Sequence, residues 1–175
     1  MPEDRAFDQI FPPPMQRLSA RHWTPVAVAR RAAQLLVQSA DTTVLDVGAG
    51  VGKFCIVGAQ TTPGRFVAVE RRRVLAQVAG DVVRERCVPR VEVIHDEVLS
   101  LDWSGFDAIY LFNPFADPLP DARSVRLAEE KLARARPGAR IVTYHGFGGT
   151  MPPDFRRVVS EPGGTGRLEL FIKRA

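Results

Sequence analysis

Three glycines at alternate positions, Gly48, Gly50 and Gly52, follow the apolar run 44–47, and that run contains one acid, Asp46. A short buried strand, a glycine turn and a helix resuming at residues 53–59 account for this pattern. Such a turn can adopt positive φ, so a ligand can lie against the bare backbone of Gly48, Ala49, Gly50 and Gly52 while a helix N-terminus aims free N–H groups at it. A second acid, Glu70, ends the next strand, about 20 residues on, where one carboxylate can accept from both hydroxyls of a ribose. A third group, Asn113, Pro114 and Phe115, closes a fourth strand. In an open α/β sheet the crevice lies beyond the strand C-termini, so this tripeptide is expected to face the reacting centre. Together these residues predict a nucleotide-like ligand, and Asp46 refines its charge: a carboxylate beside the turn repels a pyrophosphate and suits a cation.

S-adenosylmethionine (SAM) carries an ammonium and a sulfonium and no phosphate, and so matches an acid beside a glycine turn. Residues 44–52, written Val-Leu-Asp-Val-Gly-Ala-Gly-Val-Gly, resemble the first motif of the class I, seven-strand SAM-dependent methyltransferases. The resemblance covers roughly residues 24–173. It implies that an acid after the third strand takes the adenine amino group, with Asp96 as first candidate and Glu97 next, and that Val98 packs on the ring. Arg71 to Arg73 read as a solvated charge run, of which Arg71 is placed to cover an adenine face. Asn113, Pro114 and Phe115 resemble the Asn-Pro-Pro-aromatic motif of enzymes that methylate amino groups, with one proline missing. They are also similar to the Asn-aromatic turn of seven-strand lysine methyltransferases. The run 127–148 is similar to small bacterial and archaeal members of that type. The expected acceptor is therefore a protein lysine amine, approached through Asn113, Pro114 and Phe115. A nucleic-acid amino group, a small molecule and a non-catalytic SAM-binding module stay open as alternatives.

The elements that must position these residues follow from punctuation and period. The fold expected is α/β: a Rossmann-like, doubly wound, mostly parallel seven-stranded sheet ending in an antiparallel hairpin. Thr24 and Pro25 have the form of an N-cap and a first helical residue before an apolar stripe at Val26, Ala29, Ala33, Leu36 and Val37; the resemblance also makes Thr24 a candidate contact to the methionine end of the cofactor, with the cap role preferred. Strands are expected at 65–69, 91–95, 108–112 and 139–144, helices at 74–86 and 121–134, and hairpin strands at 155–160 and 167–173. Residues 146–154 are too rich in glycine and proline for the helix that usually precedes strand six. Residues 1–20 form a proline-rich arm, expected to be irregular with one turn near 15–18, and residues 21–175 form the domain.

At 175 residues the chain suits one core. Hydrophobic content of 45% and charged content of 25% are ordinary for a globular protein. A net charge of +4 spread over arginines points only weakly to nucleic acid. No apolar run is long enough to span a bilayer and the start is unlike a signal peptide, so a cytoplasmic location is expected. Cys55 and Cys87 suggest neither a disulfide framework nor a metal site, with Cys55 read as a small buried residue. His22, His95 and His145 lack a metal-ligand spacing; His145, after the fifth strand and near the crevice, is read as structural or surface, with a role as a base kept open as the alternative.

Overall fold

The computed structural model describes residues 2–17, 23–115 and 121–175. Seven strands form one sheet in the order β3-β2-β1-β4-β5-β7-β6. They are β1 (Thr43–Val47), β2 (Arg65–Glu70), β3 (Val91–His95), β4 (Ala108–Leu111), β5 (Arg140–Tyr144), β6 (Phe155–Gly163) and β7 (Gly166–Lys173). The first five pair in parallel, and β7 runs antiparallel between β5 and β6. Chain order therefore reverses beside β1, where β2 and β3 lie on one side and β4 and β5 on the other. That reversal opens a crevice at the strand C-termini.

The helices are α1 (Pro2–Asp8), α2 (Pro13–Gln16), α3 (Val26–Leu36), α4 (Lys53–Thr61), α5 (Arg73–Glu85) and α6 (Ala122–Ala133). Strand alternation sends Val44, Phe66, Ala68, Ala108, Tyr110 and Val142 to one face, packed with α3 and α4. Leu45, Val47, Val69, Ile109, Leu111 and Ile141 go to the other, with Ala128 and Leu132 of α6 and with Trp103. Asp46 falls on the first face, paired in register with Ala68 and Tyr110, so the pleat itself buries an acid among apolar neighbours.

Most of the expected elements lie within a residue or two of their observed bounds, including the missing helix before β6. The hairpin is longer, because β6 runs on to Gly163 and only Gly164 and Thr165 turn it. Two expectations are corrected. The arm is not irregular: α1 and α2 are helical, Phe11 is buried, and the Phe11 ring meets Trp23 at 4.8 Å. Thr24 is not the cap of α3: its hydroxyl hydrogen-bonds the Tyr110 hydroxyl at 2.9 Å, and Asp4 of α1 accepts from the Val26 N–H at 2.8 Å. The boundary expected at residue 20 lies outside the described residues, as do Leu18 and His22.

Of the three lysines, none is exposed. Lys131 of α6 donates to the Leu101 carbonyl, and Lys173 of β7 donates to the Ala133 carbonyl and pairs with Asp154, tying α6 to the sheet. Among the described residues no helix is long and apolar enough to cross a membrane.

Candidate functional site

The glycine turn has the conformation its composition allows. Gly48, Gly50 and Gly52 all have positive φ, and the N–H groups of Gly48 and Ala49 both donate to the Val69 carbonyl, at 3.1 and 3.0 Å. A Cβ at Gly48 would come within 3.3 Å of the Pro114 side chain, so turn and tripeptide touch. Gly52 serves differently: its Cβ position faces Ala79 of α5 at 3.3 Å, a close helix approach away from the crevice.

Two cavities meet over this turn, sharing Gly48 and Arg72. The first is walled by Val69, Glu70, Arg71, Glu97, Val98, Leu99, Pro114, Phe115, Asp121 and Ser124. The second is walled by Trp23, Thr24, Asp46, Ala49, Gly50, Val51, Lys53, Phe54, Leu75, Tyr110 and Phe112. Of the residues read from the sequence, Asp46, Gly48, Ala49, Gly50, Glu70, Arg71, Glu97, Val98, Pro114 and Phe115 are thus brought together. Gly52, Asp96 and Asn113 are not walls of either cavity. Asp96 is exposed and its carboxylate accepts from the Glu97 N–H at 2.7 Å. A short 3-10 turn at Val98–Ser100 leaves Glu97 and Val98 at the wall, and Trp103 pins that turn by donating from Nε1 to the Val98 carbonyl at 2.9 Å. Asn113 is exposed, has a φ of 41°, and donates its backbone N–H to the Gly146 carbonyl at 2.9 Å. A left-handed position tolerates asparagine better than most residues.

The electrostatics of the two cavities differ. In the first, Glu70 is buried, and its two oxygens accept from the Gly50 N–H at 2.9 Å, the Arg72 N–H at 2.8 Å and Arg72 Nε at 3.1 Å. Three donors on roughly four lone-pair sites leave little acceptor capacity, so a ribose would have to share with the Arg72 side chain. Asp121 caps α6, accepting from the Ser124 hydroxyl and from the N–H groups of Arg123 and Ser124, and those bonds hold its carboxyl below the usual range.

In the second cavity Asp46 has one donor among the described residues, the Cys55 thiol at 3.4 Å. Burial pushes its carboxyl up to about 7, against the lowering effect of the thiol, and the nearby Glu70 charge adds to the rise. Cys55 is therefore more than a small buried residue, and burial pushes its own thiol up well above the ordinary value. A buried carboxylate with one weak donor is a poor structural element and a good seat for a cation. Phe54 stacks on Tyr110 at 3.9 Å, giving this seat an aromatic wall.

Apart from Thr24, which walls the cavity as the resemblance implies, sequence reasoning missed the residues that support this cavity from the arm. Lys53, the first residue of α4, is buried and pairs with Asp4 at 3.0 Å and Asp8 at 2.8 Å, with the Phe7 and Trp23 rings at 5.7 and 5.8 Å from its ammonium. Burial works against ionisation of Asp4, but the Val26 N–H and Lys53 outweigh it and hold its carboxyl low. The arm thus supports the cavity wall at Lys53, Trp23 and Thr24. Its one sequence signal is the pair of acids Asp4 and Asp8, spaced one helical turn apart. Among the described residues no cluster of His, Cys, Asp and Glu is arranged to hold a metal.

No protein-family model and no curated protein matches the chain in sequence. Solved structures do resemble it. An RNA methyltransferase from Salinibacter ruber, in complex with S-adenosyl-L-homocysteine (SAH), superposes with a TM-score of 0.70 at 20% identity over 86% of this chain and 93% of its own. A SAM-dependent methyltransferase from Aquifex aeolicus gives 0.63 at 17% identity, with 98% of each chain covered. The mitomycin 7-O-methyltransferase MmcR gives 0.67 at 18% identity over 92% of this chain and 55% of its own. At these identities the likeness is one of architecture: the chain has the seven-strand α/β fold on which these methyltransferases are built.

Proposed function

We propose that the protein is a SAM-dependent methyltransferase whose acceptor is a protein lysine amine. The observation that carries the cofactor is Asp46, a buried carboxylate in a cavity under a glycine turn with a thiol as its one donor. An ammonium or sulfonium in that cavity supplies the missing positive charge, whereas a dinucleotide pyrophosphate would add a second negative one. When bound, SAM supplies an electrophilic methyl group. Glu70 accepts from the ribose, Glu97 and Val98 bound the adenine side, and Arg71 covers its outer edge.

The chain's own task is to present the acceptor in line with the sulfur–methyl bond. Pro114 touches Gly48 of the turn, so the tripeptide stands beside the reacting centre. The Asn113 side-chain oxygen and the backbone carbonyls at Asn113 and Pro114 orient the amine, and Phe115 packs on the alkyl stem. A partly dry mouth lowers the amine pKa by desolvating the ammonium. Asn113→Ala is expected to cut turnover by about 100-fold, the scale of losing one positioned polar group, while the Kd for SAH stays within a few fold. Single-turnover rates and calorimetry measure the two quantities; unchanged turnover removes Asn113 from the mechanism.

A nucleic-acid amino group is the second reading, favoured by Arg71, Arg72 and Arg73, all exposed beside the first cavity. Labelled SAM incubated with cell extract, followed by separate protease and ribonuclease digestion, separates the two. Label lost only to protease supports the lysine acceptor, and label lost only to ribonuclease replaces it.

A further inference from the structure

Two backbone outliers stand together at the crevice. Asn113, two residues past the end of β4, and His145, the first residue past the neighbouring β5, have φ of 41° and 59°, and the Asn113 N–H donates to the carbonyl of Gly146, the residue after His145. A left-handed conformation costs a residue with a Cβ about 1–2 kcal/mol, and such strain collects where a side chain must be aimed. At His145 it aims an imidazole. The ring stacks on Phe112 at 5.7 Å and 30°, and meets Tyr144 edge-on at 4.3 Å. A Cβ at Gly166 would lie 2.4 Å from Nε2, so the glycine leaves room for the ring in this position and no larger residue would. His145 is exposed, and no described residue hydrogen-bonds to either ring nitrogen.

Phe112 is also a wall of the cavity that contains Asp46, so one aromatic ring separates the imidazole from the cation seat. Both cavities lie over β1, β2 and β4, and His145 stands on the β5 side, from which an acceptor can approach. A lysine arrives as an ammonium and cannot attack until it loses a proton. From the fixed, exposed and unpartnered ring at this place we infer that His145 is the proton acceptor for the incoming amine. The inference rests on the methyltransferase reading above. Neutral His145 takes one proton from R–NH3+, at Nδ1, the nitrogen farther from Gly166, giving imidazolium and R–NH2. The amine lone pair then forms the nitrogen–carbon bond as the sulfur–carbon bond breaks, its electron pair stays on sulfur as a neutral thioether, and the product is R–NH2+–CH3. Among the described residues the titratable group against the ring is Tyr144 on β5; on β7 the Arg167 carbonyl accepts the backbone N–H of His145 at 3.3 Å while the Arg167 guanidinium donates to the Ser160 hydroxyl at 2.8 Å, and Phe112 and Gly166 carry no charge.

The test uses the full chain, labelled SAM and a synthetic pool of lysine-containing peptides. His145→Gln is expected to lower kcat by about 100-fold, the usual scale of a general base, with the Kd for SAH unchanged, and to remove the acid limb of the kcat–pH profile. Added imidazole should restore part of the rate. Independently of turnover, the His145 ring proton resonances should shift when peptide is added to the SAH complex. A His145→Gln enzyme with wild-type kcat and pH limb overturns the inference while leaving the methyltransferase reading intact. A wild type that binds SAH and labels no peptide overturns the lysine acceptor, and this role for His145 with it.

Discussion

At about pH 8, SAM is expected to bind Asp46→Asn at least about 30-fold more weakly than wild type, because truncating one partner of a buried charge pair typically costs about 2–5 kcal/mol. The pH dependence should separate this from a general loss of fold. With the free carboxyl at about 7, a cation can pair with it only after a proton leaves. Wild-type affinity should therefore rise nearly tenfold per pH unit below about pH 7 and level off above it, with proton release visible as a buffer-dependent binding heat. Asp46→Asn should show a flat profile. Stability of the free protein moves the other way. The folded pKa lies above the ordinary carboxyl value of 3.8, so the folded state keeps a proton that the unfolded chain gives up. That contribution is fully present below about pH 4 and is lost as pH rises through about 7, a change on the order of 4 kcal/mol. Asp46→Asn should accordingly raise the Tm of the free protein at about pH 8 while weakening SAM. A lower Tm together with a retained pH slope in SAM binding would reject Asp46 as the cation seat.

Replacing Lys53 by methionine should destabilise the protein by about 3–5 kcal/mol, the scale for removing one partner of a buried ion pair. The loss arises less from the missing attraction than from Asp8 and Asp4, which would keep their charges with the ammonium gone. Asp8 is only 4% exposed and cannot recover its hydration without moving α1. The expected result is a lower urea midpoint and cleavage within residues 2–17 by a protease that leaves the wild-type arm intact. Combining Lys53→Met with Asp4→Asn and Asp8→Asn should recover much of the midpoint, because the charges that the ammonium balances are then removed together with it. An unchanged midpoint and cleavage pattern in Lys53→Met would mean that Phe7 and Phe11 hold the arm without the ion pairs.

Lys53 also marks where reading the sequence stops working. The glycine turn, Glu70 and the strand that delivers Pro114 and Phe115 are legible because each depends on neighbours in sequence: a φ requirement, a strand end, an alternation. The arm depends on a partner 49 residues from Asp4, and no local period announces that pairing. Without it, residues 1–20 look like a proline-rich tail. Thr24 illustrates the same limit. Its type and place before Pro25 fit a cap, but a competing acceptor from α1 takes the N–H and frees the hydroxyl for Tyr110. The choice between Asp96 and Glu97 hinged on one residue of phase, set by Trp103 holding the carbonyl of Val98 from five residues downstream. The helix and strand periods give Phe54, Tyr110 and Phe112 no signal of a site, and only the packing of α4 on β1 and β4 turns them toward Asp46. Cys55, one turn into α4, likewise gains its part only because the pleat of β1 delivers a carboxylate beneath it.

The engagement of all three lysines has a bearing on what this protein does to copies of itself. Lys53 lies between two acids, Lys131 is bound to a loop carbonyl, and Lys173 is shared between a carbonyl and Asp154. If the acceptor is a lysine amine, as proposed above, this surface gives another copy of the chain no free side-chain ammonium to work on, so the protein would be spared as a target of its own reaction and would not drain cofactor on itself. Histidines aside, every other cationic side chain it displays is a guanidinium, whose charge stays in place across the physiological range and beyond the reach of enzymes that acylate or alkylate lysine.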